Sequence, residues 1–109
     1  MVRQALELIE DRPAHPWTIA ELAAAVAVSA RTLQDRFAHA LGLPPMTYLR
    51  NVRLDRIHAE LLDGDPAEIT VGVAAARWGF LHPGRFAAAY QQRFGRPPSA
   101  TLRASPFGN

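Results

Sequence analysis

The chain states one pattern twice. Gly42, Pro44, Pro45, Leu49 and Arg50 recur as Gly95, Pro97, Pro98, Leu102 and Arg103, each displaced by 53 residues. Ahead of each set runs a matching apolar skeleton, in which Leu33 corresponds to Phe86, Phe37 to Tyr90 and Leu41 to Phe94. A fixed-period echo marks one supersecondary unit used twice, because each copy solves the same packing problem with the same residues. The fold must therefore contain two similar subdomains within 109 residues.

The periodicity inside each copy is helical. Val2, Ala5, Leu6 and Ile9 fall at i, i+3, i+4 and i+7, one face of a first helix that Pro13 and Pro16 terminate. Thr18-Ile-Ala-Glu21 reads as a capping box and starts a second helix with Ile19, Leu22, Ala23 and Val26 inward. Ser29 is suited to cap a third helix with Leu33, Phe37 and Leu41 as its buried stripe, and Gly42 stops it. Pro45 opens a long fourth helix to about Leu62, and Asp63-Gly-Asp-Pro66 is a turn-rich connector. Thr70 caps a fifth helix through Trp78. Pro83 or its neighbour starts a sixth, which Gly95 ends, and Pro97 and Pro98 begin a short seventh near Arg103. The expected class is all-α, with about seven helices. The pattern divides into a first helix-turn-helix subdomain (1–43), a linker helix (44–62), a second subdomain (69–103) and a frayed tail (104–109).

Within each copy the helix-turn-helix requirements are met: a small residue where the helices cross, a tight turn, and an apolar lock on the second helix. Ala23, Ala27 and Leu33 supply these in the first copy, and Ala75, Gly79 and Phe86 in the second, with one extra residue in the turn. Gly79 tolerates a positive φ freely. Ala27 would sit there at roughly 1 kcal/mol of strain if the turn demands it.

Composition excludes other classes. The chain has no Cys, so disulfide frameworks and thiolate zinc sites are ruled out, and its four His have no metal-ligand spacing. No Ser/His/Asp constellation, paired-carboxylate cleft or Gly-rich phosphate loop appears, so neither an enzyme nor a cofactor is expected. The longest apolar run, Leu22 to Val28, is far too short to span a bilayer. No signal-peptide pattern opens the chain, so a cytoplasmic location is the expectation. The charge is lopsided. Residues 1–68 hold seven Arg against ten acids, whereas residues 69–109 hold Arg77, Arg85, Arg93, Arg96 and Arg103 and no acid. Such one-sidedness suits a polyanionic partner. Every basic residue is Arg, the cation better able to form bidentate bonds to phosphate and guanine.

With Arg53-Leu-Asp-Arg56, Trp78-Gly-Phe80, Gly84-Arg-Phe86 and Phe94-Gly-Arg-Pro-Pro98, the chain resembles the AraC/XylS family of bacterial transcription regulators, specifically its DNA-binding domain. The resemblance runs from about residue 2 to Arg103. It implies two helix-turn-helix subdomains joined by a long helix, with recognition helices entering successive major grooves of double-stranded DNA about one helical turn apart. One chain then supplies both prongs, so a monomer and a non-palindromic site are expected. Family members usually carry an effector-binding or dimerisation domain, so either a longer chain or a stand-alone member is implied.

The candidate base-reading residues of the first recognition helix are Arg31, Gln34 and Asp35. By resemblance they match base-facing positions, and their chemistry suits guanine, adenine and cytosine edges respectively. Arg31 and Asp35 could instead form an i,i+4 surface pair. The second recognition helix offers Pro83, Gly84, Ala87 and Ala88 outward, leaving Arg85 as a base or phosphate candidate. Thr32, Arg36, His82, Arg93 and Arg96 are the remaining phosphate candidates, with His82 also suited to a cap or turn. Arg50 and Arg103 look like structural ties, and Arg53, Asp55, Arg56 and Glu60 like surface pairs along the fourth helix. The competing function is a helical interaction module that contacts RNA polymerase or another regulator with little DNA binding.

Overall fold

The structure, a computed structural model, describes residues 1–105; Pro106–Asn109 of the expected tail lie outside the described residues. Among the described residues there are seven α-helices and no strand. They are α1 (Val2–Asp11), α2 (Ile19–Ala25), α3 (Ala30–Leu41), α4 (Pro45–Asp63), α5 (Val71–Arg77), α6 (Pro83–Phe94) and α7 (Pro98–Arg103). The chain divides into two units, Met1–Arg53 and Leu54 onward, with the boundary inside α4.

Each unit has its own core. In the first, Ala5 and Ile9 of α1, Leu22 and Ala23 of α2, Leu33 and Phe37 of α3 and Leu49 of α4 are buried together with Trp17. In the second, Leu54, Ile57 and Leu61 of α4 take the part that α1 plays in the first, packing with Ala74, Ala75, Phe86, Tyr90 and Leu102. Helix α4 thus serves two units in succession. Its first turns close one core as α7 closes the other, and its later turns open the next as α1 opens the first. Burial of each large apolar side chain contributes roughly 1.5–3 kcal/mol.

The two helix-turn-helix turns are built alike. Val28 N–H donates to Ala23 O at 3.1 Å and Phe80 N–H to Ala75 O at 3.0 Å, the wide bond of a Schellman ending. The residue before each donor is left-handed: Gly79 at φ 89° and Ala27 at φ 60°. Ala27 therefore carries the anticipated strain. Helices α3 and α6 also close alike, at Gly42 (φ 78°) and Gly95 (φ 80°).

Two local expectations need correction. Thr18 Oγ1 accepts from Glu21 N–H at 3.0 Å, but the return arm of the capping box is absent because the Glu21 carboxylate bonds His15 Nε2 at 2.5 Å. At the other end, Ser105 is anchored rather than frayed. It is buried, and its hydroxyl donates to Gly64 O at 2.7 Å. Gly64 must stay small, since a Cβ there would stand 2.8 Å from both Glu60 O and Ile69 Cγ2.

Candidate nucleic-acid interface

Helix α3 of the first unit separates its faces cleanly. Leu33 and Phe37 are fully sealed, and this turns Arg31, Gln34, Asp35 and Arg36 to solvent. Ser29 Oγ fixes the helix start by accepting Thr32 N–H at 3.1 Å and donates its own proton to Thr32 Oγ1 at 2.9 Å. Thr32 is thus half-buried and part of the cap. Arg31 and Asp35 approach to 3.9 Å with side chains 93% and 74% exposed. At that length and exposure the pair stabilises the helix by only a few tenths of a kcal/mol. A base edge could therefore compete for either group.

Helix α6 is the counterpart in the second unit. Phe86 and Tyr90 face its core, while Pro83, Gly84, Arg85 and Ala88 are exposed. His82 occupies the cap position but its side chain makes no capping bond; Pro83 at the first helical position dispenses with one N–H instead. Position for position, Gly84, Ala87 and Ala88 stand where the first unit has Arg31, Gln34 and Asp35. A side chain added at Gly84 would meet open space. The two faces are structurally equivalent and chemically unlike.

The arginines differ in the partners the fold gives them. Arg93, an expected phosphate contact, is held by Asp55 of α4 through two bonds, Nε to Oδ1 at 2.7 Å and Nη2 to Oδ2 at 2.9 Å. That carboxylate raises the guanidinium pKa above its ordinary value. Arg53 makes no surface pair along α4 but reaches back to donate to Pro13 O and His15 O, each at 2.7 Å. Partial burial lowers its pKa, and the two carbonyls replace the lost water. Glu60 accepts from Trp78 Nε1 at 3.0 Å and pairs with Arg77 at 3.5 Å. Asp55 and Glu60 thus reach side chains of α6 and of the α5 end. Arg50 and Arg103, expected as ties, are exposed and form no ion pair among the described residues. Arg36, Arg85 and Arg96 are likewise exposed and unpaired among the described residues, which leaves their charges available to an anion.

Sequence reasoning missed the Arg53 clasp. A signal existed: a segment broken by Pro13 and Pro16 leaves carbonyls with no helical partner, and these need donors from elsewhere. It also missed a polar chain within the second core, where Tyr90 OH donates to Thr101 Oγ1 at 2.9 Å and lies 2.7 Å from His58 Nδ1. His58 stacks on Phe94 with ring centroids 4.0 Å apart. Burial, then the Arg96 charge, lowers the His58 pKa, and Asp55 opposes them. No group of three or more potential metal ligands exists among the described residues, nor is any helix there long and apolar enough to cross a membrane.

The family model that matches is a helix-turn-helix domain, over residues 22–104. Among curated relatives, the "Probable thc operon regulatory protein" of Rhodococcus erythropolis is 45% identical over 107 residues, spanning 98% of this chain and 32% of that protein. The "XylDLEGF operon transcriptional activator 3" of Pseudomonas putida is 36% identical over 100 residues, 92% of this chain and 30% of the other. The chain thus spans about a third of these relatives' length. Among solved structures, a probable AraC family transcriptional regulator from Rhodopseudomonas palustris is 40% identical with a TM-score of 0.88, covering 96% of this chain and 97% of that one.

Proposed function

Because the chain belongs to the AraC family of helix-turn-helix transcription regulators, we propose that it binds double-stranded DNA sequence-specifically, each unit presenting one recognition helix to a major groove. The observation that carries this reading is the exposed face of α3, where Arg31, Gln34 and Asp35 project from a helix whose opposite side is sealed into a core. A helix held this rigidly can present polar groups to base edges without losing much freedom on binding. Arg31 then pairs with guanine O6 and N7, Gln34 with adenine N6 and N7, and Asp35 accepts from cytosine N4. Asp35 also repels misplaced phosphate, which sharpens selectivity.

Phosphate contacts fall to Arg36, Arg85 and Arg96, with His82 at the start of α6; Arg93 is left out because Asp55 holds it. The wider protein role, regulation of transcription with further domains in a longer chain, follows the relatives that this chain matches over about a third of their length. Contact with RNA polymerase belongs to that wider role.

Selection of bound sequences from a random duplex pool tests the proposal. An enriched asymmetric site with two separate blocks is the expected outcome, and Arg31→Ala should cost about 1–3 kcal/mol and relax preference at one position of one block. A chain that retains its fold but enriches no sequence, or loses equal affinity for selected and random duplex on Arg31→Ala, would overturn it.

A further inference from the structure

The second unit has an apolar opening beside its recognition helix. A groove of about 330 Å³ is bordered by Val71 of α5, Phe80 in the turn, Pro83, Phe86 and Ala87 of α6 and Pro98 of α7. The two copies differ here. Ser99, which also lines the groove, stands where the first unit has Met46, and Met46 packs against its unit's core while Ser99 is exposed. The second copy thus carries the shorter side chain at this place. Leu81, the residue by which the second turn exceeds the first, is 77% exposed two residues before α6.

The α6 wall of this groove belongs to the face on which the second unit would meet DNA. Pro83 and Ala87 lie one turn apart, and Ala87 occupies the place of Gln34. Neither side chain can donate or accept a hydrogen bond, so neither can read the donor and acceptor pattern of a base pair. The one apolar projection from base edges in the major groove is the C5 methyl of thymine. Charge favours DNA over an apolar protein segment as the occupant. Arg85 on the same helix and Arg96, next to the prolines that border the groove, are exposed and form no ion pair among the described residues, whereas Arg77 and Arg93 are already matched by Glu60 and Asp55. A polyanion complements those two free charges.

We infer that this groove receives a thymine methyl, so that the second unit reads its half of the site by apolar contact while the first reads by hydrogen bonds. The inference rests on the DNA-binding reading above and goes beyond it by naming the base and the chemistry. The experiment uses the duplex enriched from the random pool. The block assigned to the second unit is the one whose preference survives Arg31→Ala. Thymines in that block are replaced singly by uracil, which removes only the methyl. The expected result is a three- to fivefold loss of affinity at one position, roughly that of one buried methyl-sized group. Ser99→Met, which supplies the side chain that the first unit uses, should abolish the thymine–uracil difference while leaving the thermal transition in place.

Equal affinity for thymine and uracil throughout the second block overturns the inference and leaves the DNA-binding reading standing. A difference that survives a folded Ser99→Met overturns the groove as its origin. Failure to bind any duplex removes both. A groove that instead accepts an apolar side chain from a protein partner would give equal affinities.

Discussion

Tyr90 offers a sharp test of how the second unit is held. Its side chain is fully buried, yet its hydroxyl serves both Thr101 and His58. The corresponding residue of the first unit is Phe37, also fully buried, so a phenylalanine ring fits this place in the repeat. Tyr90→Phe should therefore create little steric disturbance and act almost wholly through hydrogen bonding. Thr101 is itself fully buried and would lose its partner, whereas His58 is only half-buried and can turn to water. A buried polar group left unsatisfied costs about 1–3 kcal/mol. In a domain of this size that is a fall in Tm of roughly 5–15 °C. Thermal and urea unfolding of Tyr90→Phe, Thr101→Val and the double variant would measure it. The double variant should be less destabilised than the two single variants added together, by about 0.5–1.5 kcal/mol, because it removes both ends of one bond. A cost below about 0.5 kcal/mol for Tyr90→Phe, with strict additivity, would refute the claim that this bond holds α6 to α7.

The arginines separate by salt dependence. Arg36→Ala should reduce the slope of log K against log salt by about 0.9, as expected when one phosphate contact is lost. Arg93→Ala should leave that slope unchanged and lower stability by about 0.2–1 kcal/mol, the range for a solvent-accessible ion pair, since its charge is already matched by Asp55. Acid should weaken the second unit through His58. The folded state holds its pKa below the ordinary value near 6.5, so the unfolded chain binds the proton more readily. The stability contributed by neutral His58 is complete above about pH 6.5 and declines as pH falls through the lower folded value. Tm measured from pH 8 to pH 5 should show that decline, and His58→Gln should flatten it.

Much of the fold was legible because its causes are local. Thr18, Ser29 and Thr70 each cap the helix they precede, and Gly42 and Gly95 end helices in left-handed conformations that glycine adopts without strain. Spacing alone placed Leu33, Phe37, Phe86 and Tyr90 inward, since a helix cannot bury one stripe without exposing its opposite. The same reasoning exposed Arg31, Gln34 and Asp35. Equivalent turns were legible from the repeat, including the strain at Ala27, because two copies of one backbone must solve one geometric problem with whatever residue stands there.

The charged residues were less legible, and the reason is physical. A salt bridge within one helix can be read from spacing, but it is worth little, so it yields wherever the fold brings a better partner. Arg53 ignored its helical neighbours for two carbonyls 38 and 40 residues earlier, and Asp55 chose Arg93, 38 residues later. The Asp55–Arg93 pair has no image in the echo: ahead of the turn, where the displacement is 52 residues, Asp55 corresponds to Arg3, and after it, where the displacement is 53, Arg93 corresponds to Ala40. The repeat therefore transmits backbone and core from one copy to the other but leaves surface chemistry free to diverge. That freedom lets two nearly identical scaffolds carry a polar face at Arg31, Gln34 and Asp35 and a bare one at Gly84, Ala87 and Ala88. A protein that needs unlike information from two stretches of one ligand gains more from this divergence than from two matching prongs.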